Sequence, residues 1–87
     1  MDDLIYLKDI LKKRKYSILK INDITNNLNY KKNIINQIGG NGDDIKWDKL
    51  IDGYRVVIQK FKILDNPDFK ELIKTIGEII NIYDEKK

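Results

Sequence analysis

Apolar spacing divides the chain into stretches of helical period separated by polar or glycine-rich breaks. Leu4, Leu7 and Leu11 fall on one stripe with Ile10 beside it, which predicts a helix over about Asp3 to Lys13 with Asp2 or Asp3 as its cap. The basic run Lys12, Lys13, Arg14, Lys15 closes this helix, where positive charge suits the negative end of the helix dipole. Tyr16 to Lys20 reads equally as the end of a strand or the approach to a helix, and is treated as a connector. From Asp23 to Gly39 the spacing fits two short helices, 23–28 and 31–38, joined by a tight turn. Ile24 and Leu28 then face inward from the first, Tyr30 from the turn, and Ile35 and Ile38 from the second. Asn22 or Asp23 caps the first helix. Asn29 holds the turn, because asparagine tolerates positive φ better than any residue but glycine, and Gly39-Gly40 end the second helix.

The run Gly39 to Gly42 lacks both the P-loop and the dinucleotide-binding glycine patterns, and reads as punctuation before the second half. From Trp47 onward Leu50, Tyr54, Val57, Phe61 and Leu64 recur at steps of three and four, with Ile51 and Ile58 beside the seam, predicting one amphipathic helix over about 44–64. Asp52-Gly53 has the composition of a hairpin turn, which would make 45–61 the wing of a winged helix, but strict alternation fails on both sides of it. Gly53 is therefore placed inside the helix at a cost of about 1 kcal/mol. Asp65-Asn66-Pro67-Asp68 breaks and restarts the chain, with Asn66 as cap and Pro67 at the first helical position. The last helix carries Phe69, Leu72, Ile76, Ile79 and Tyr83 on a second stripe flanked by Ile73 and Ile80. Folded back antiparallel about Asp65, it pairs Phe61 with Phe69, Val57 with Leu72, Tyr54 with Ile76, Leu50 with Ile79 and Trp47 with Tyr83. The expected fold is all-α, with about five helices in one domain over 1–87: a helix-turn-helix-like unit (1–40) and an antiparallel helical hairpin (43–85).

Composition narrows the chemistry. With no Cys and no His, disulfides, thiolate nucleophiles, imidazole bases and the commonest zinc sites are all excluded. Seventeen isoleucines, nine asparagines and no alanine have the bias of AT-rich codons, which points to an AT-rich, viral or mobile genome. A net charge of +3 permits nucleic-acid binding without demanding it. No apolar run approaches a membrane span and the start Met1-Asp2-Asp3 is unlike a leader, so a soluble, cytoplasmic protein is expected. Asp43, Asp44, Asp48 and Asp52 form the densest acidic group, but EF-hand spacing and its bidentate Glu are missing, and the group reads as an acidic first turn. Ser17 has no histidine to activate it and reads as a surface hydroxyl. No enzyme activity, metal or cofactor is expected.

Residues 23–39 resemble the helix-turn-helix superfamily of DNA-binding regulators, through Ile24, Leu28, Tyr30, Ile35 and Ile38 at its core positions and Thr25 at its small-residue position. Asn29 stands in place of the usual glycine, and Lys31 in place of the usual Ser or Thr cap. The resemblance implies a small regulator of transcription or a mobile-element accessory protein. Lys31, Lys32, Asn33, Asn36 and Gln37 would face double-stranded DNA, Asn and Gln pairing with adenine in the major groove, while Lys12, Lys13, Arg14 and Lys15 grip phosphates. Residues 50–64 also resemble the last helix of the transcription elongation factor TFIIS N-terminal domain, through Val57, Ile58, Phe61, Lys62 and Leu64, with Phe61 where that family has tryptophan. That likeness implies the alternative, a protein-binding helical bundle acting as inhibitor or adaptor. Ile45, Val56, Ile63 and Ile82, off the main stripes, would form its interface or that of a homodimer.

Overall fold

The computed structural model describes residues 3–38 and 46–86. These residues are all-helical, with four α-helices and one 3-10 turn and no strand among them. The first helix, α1, runs Asp3–Lys13, as its apolar stripe predicts.

The second element departs from expectation. Residues Ile18–Ile38 form one continuous helix, α2, with no turn at Asn29. The connector shrinks to residues 14–17, and the strand reading of Tyr16 to Lys20 is lost. Ser17, not Asn22 or Asp23, is the cap: its Oγ accepts the Lys20 backbone N–H at 3.1 Å, and its carbonyl accepts the N–H of Ile21 at 3.0 Å. The physical reason for continuity is the neighbour: the C-terminal helix lies along α2 from the Tyr16–Asp68 contact to the Lys32–Glu78 pair. Ile21, Ile24, Leu28 and Ile35 are all buried along one face that runs unbroken through 29–30. No proline or glycine interrupts the segment, and asparagine inside a helix costs only a few tenths of a kcal/mol. Tyr30, expected inward, is 66% exposed.

The third helix, α3, spans Trp47–Leu64 with Lys46 before its first turn; residues 44 and 45 of the expected start lie outside the described residues. It ends at Asp65 in the left-handed conformation (φ 51°). Asn66 then accepts the Asp68 N–H on its side chain and Pro67 opens a 3-10 turn, Pro67–Phe69, leading into α4, Lys70–Lys86. The restart signal in the sequence is thus realised at the expected residues.

Side-chain contacts fix the directions of the helices. Tyr16 meets Asp68 near the starts of α2 and α4, and Lys32 meets Glu78 further along both, so these two helices run parallel. Phe61 packs on Phe69 at 4.8 Å between ring centroids while Arg55 pairs with Asp84, so α3 and α4 are antiparallel. Asp3 at the start of α1 meets Lys31, late in α2, so α1 is antiparallel to α2, while Leu4 lies against Gly53 and Arg14 borders the same cavity as Leu64, so α1 is parallel to α3. The chain therefore alternates up and down, but α4 sits between α2 and α3, giving a circuit α1–α2–α4–α3. The interior holds Leu7, Ile24, Leu28 and Ile35 from the first half with Ile51, Tyr54, Phe61, Leu72, Ile76 and Ile79 from the second. Both halves share one core. Gly53 has a structural reason: a Cβ there would collide with the Leu4 side chain, so α1 and α3 approach closely at this point.

Candidate functional site

The residues expected to read DNA are divided by this fold. Lys31 is turned inward with its side chain 14% exposed, and its Nζ lies 3.1 Å from Oδ1 of the fully buried Asp3. Lys32 pairs with Glu78 of α4 at 3.6 Å. Asn33, Asn36 and Gln37 are exposed on α2. Lys12, Lys13, Arg14 and Lys15 are exposed as well, but because α1 and α2 are antiparallel they lie at the other end of the bundle, about 15 Å away along the axis. Of the expected protein-interface residues, Val56 and Ile63 are exposed, Ile82 is half-buried against the core, and Ile45 lies outside the described residues. Asp48 and Asp52 are exposed on α3, while Asp43 and Asp44 are outside the described residues. No three carboxylates gather into a metal-binding group among the described residues.

What the fold does assemble is a groove of ≈ 590 Å³ between α1 and α3. Its floor is Leu11, Val57 and Leu64, with Val56 and Ile63 on the α3 wall at 53% and 81% exposure. Its rim carries Lys8, Lys12, Arg14 and Lys60, and no carboxylate lines it. The four ion pairs among the described residues, Lys13–Asp9, Lys31–Asp3, Lys32–Glu78 and Arg55–Asp84, all lie outside it. The rim cations are thus left without acidic partners among the described residues, in a chain whose whole excess is +3.

Arg14 has a further peculiarity. It follows the last residue of α1 with φ 59°, a left-handed conformation, and its N–H closes the helix on the carbonyl of Ile10 at 2.8 Å. Glycine is usual at such a helix end, and a residue with a long side chain costs about 1 kcal/mol there. Arg14 and Leu64 also border an adjoining cavity of ≈ 200 Å³ lined by Ile10, Tyr16, Asn66 and Phe69. Tyr16 is fixed in that lining by its own contacts. Its hydroxyl donates to Asp68 Oδ2 at 2.7 Å and accepts from Asn66 Nδ2 at 2.8 Å, and its ring lies 4.8 Å from that of Phe69. The hydrogen bond to the Asp68 carboxylate, helped by partial burial, holds the Tyr16 phenol above the ordinary tyrosine pKa.

Lys8 and Lys60 escaped the sequence reading. Each sits at helical spacing from an expected site residue, Lys8 from Lys12 and Lys60 from Val56 and Ile63, but they meet only because α1 lies alongside α3. Fold and groove together define a class, a small all-α bundle with a cationic, apolar-floored groove between two parallel helices. No protein-family model, curated protein or solved structure matches the chain. No helix among the described residues is long and apolar enough to cross a membrane.

Proposed function

We propose that this chain is a non-enzymatic protein-binding bundle, the second of the two readings drawn from its sequence, and that a partner docks in the groove between α1 and α3. The observation that carries this reading is the exposure of Val56 and Ile63, 53% and 81%, on the wall of a concave groove. Single exposed aliphatic residues are ordinary on any protein surface. Two of them about two helical turns apart on one face, lining one cleft with an apolar floor, form the kind of patch that partners cover. The DNA-binding reading draws less support, since the turn before its recognition helix is absent and Lys31 and Lys32 are committed to Asp3 and Glu78.

The test is to pan a displayed library of random peptides on the immobilised protein and re-measure each enriched clone against an Ile63→Asp variant whose helicity is checked by circular dichroism. Ile63 is exposed, so the variant is expected to fold normally and to bind at least about tenfold more weakly. Clones indifferent to Ile63→Asp count against the groove. Salt-sensitive binding to an AT-rich duplex, lost on changing Asn33 and Gln37 to Ala, would carry the DNA-binding reading instead.

A further inference from the structure

We infer that the occupant of the α1/α3 groove is an acidic amphipathic helix of a partner protein, with Arg14 as its charge anchor; the inference rests on the protein-binding reading above. Three features of the groove lead there. The first is charge: Lys8, Lys12 and Arg14 on the α1 side and Lys60 on the α3 side flank the apolar floor without a carboxylate to neutralise them. An occupant with an apolar face and acids along both edges would satisfy floor and rim together, with more acids on the edge that faces α1. The second is shape. The walls run from Lys8 to Arg14 and from Val56 to Leu64, lengths of about 9 and 12 Å, which match two turns of a helix laid along the cleft.

The third is the position of Arg14. A side chain is kept at a backbone conformation where glycine would sit with less strain, and that side chain stands where the groove opens into the smaller cavity beside Tyr16 and Phe69. Strain held at one residue is explained if the guanidinium is needed there to pair with a partner carboxylate.

Other occupants fit less well. A second copy meeting this one through the same face would bring both sets of four rim cations together. A nucleic-acid backbone would use the rim and leave Val56 and Ile63 wet. An anionic bilayer takes up a convex apolar face, whereas this surface is concave.

The experiment uses three labelled peptides of about 15 residues that share one apolar helical face and differ only in their flanks, Glu, Gln or Lys. Fluorescence anisotropy against the full chain at low salt is expected to rank Glu over Gln over Lys, with about tenfold between the first two, each rim pair being worth a small factor. The preference should vanish in a Lys12→Glu/Lys60→Glu variant, and all binding in Ile63→Asp. Arg14→Gly is expected to raise the thermal midpoint by about 4 °C while weakening the Glu peptide about threefold. Asp65→Gly, which relieves the other positive φ outside the groove, should raise the midpoint and leave affinity unchanged. Equal binding of the Glu and Gln peptides, still sensitive to Ile63→Asp, would overturn the acidic helix while leaving the protein-binding reading in place. Binding of none of the three, with Ile63-dependent binding to vesicles containing phosphatidylserine, would overturn both.

Discussion

Asp3 shows how much one side chain can decide in a molecule of this size. It is 0% exposed, accepts the Tyr54 hydroxyl on its two oxygens at 3.0 and 3.2 Å, and pairs with Lys31, so one carboxylate ties α1 to both α2 and α3. A buried charge is tolerated only while its partner stays, and removing the partner costs more than removing the pair. Lys31→Met is therefore expected to destabilise by about 3 kcal/mol, more than Asp3→Asn, for which about 1–2 kcal/mol is expected because shape and the Tyr54 contact survive. The double variant should be more stable than Lys31→Met alone. Urea unfolding midpoints give the order directly, and a Lys31→Met protein as stable as the parent would show that the pair contributes nothing. Lys31 was legible in the sequence as a cation on a helix, but its burial was not, because Asp3 lies 28 positions away.

At the scale of the element, α2 separates a local signal from a tertiary outcome. Its apolar residues fit two short helices as well as one long one, since Ile24, Leu28 and Ile35 occupy the inner face in both cases. The two arrangements differ at Asn29. In a turn with positive φ, Asn29→Ala would destabilise by about 1 kcal/mol; in the interior of Ile18–Ile38 it replaces a poor helix former with the best and should stabilise by about 0.5 kcal/mol. The sign of the shift in thermal midpoint decides between them. Elsewhere local signals sufficed: α1 has its expected bounds, and Asn66 and Pro67 start the turn into α4, because caps and proline act on the residues beside them.

At the scale of the whole molecule, the groove follows from how α1 is laid beside α3, with Lys8 to Arg14 facing Val56 to Leu64. α1 has 11 residues and α3 has 18, about 16 against 27 Å, and with Leu4 against Gly53 and Arg14 beside Leu64 the length that α1 does not flank is the start of α3. Beside the buried Asp3, Leu7 and Ile10, the close approach of Leu4 to Gly53 helps to seat α1. Gly53→Ala would ordinarily gain about 1 kcal/mol of helix propensity, but here the added methyl must displace the packed Leu4 side chain. The gain is expected to be cancelled in the parent and recovered in a Leu4→Ala background, a coupling of about 1 kcal/mol in a double-mutant cycle. Additive effects would mean that the two helices are not held together at this point.

The sequence by itself determined the all-helical class, the bounds of α1, the break and restart at Asp65 to Pro67, and the stripes that bury Tyr54, Phe61, Phe69, Leu72 and Ile76. Each of these depends on residues within a turn or two of one another, where period, capping and proline geometry act. Tertiary structure alone decided that α2 runs through Asn29, that Tyr30 faces solvent, that Lys31 is neutralised by Asp3, and that Lys8 and Lys60 face one groove across Val56 and Ile63. Those outcomes depend on which helix lies beside which. Apolar stripes say only that a face must be covered, and the circuit α1–α2–α4–α3 settles what covers it and what is left open.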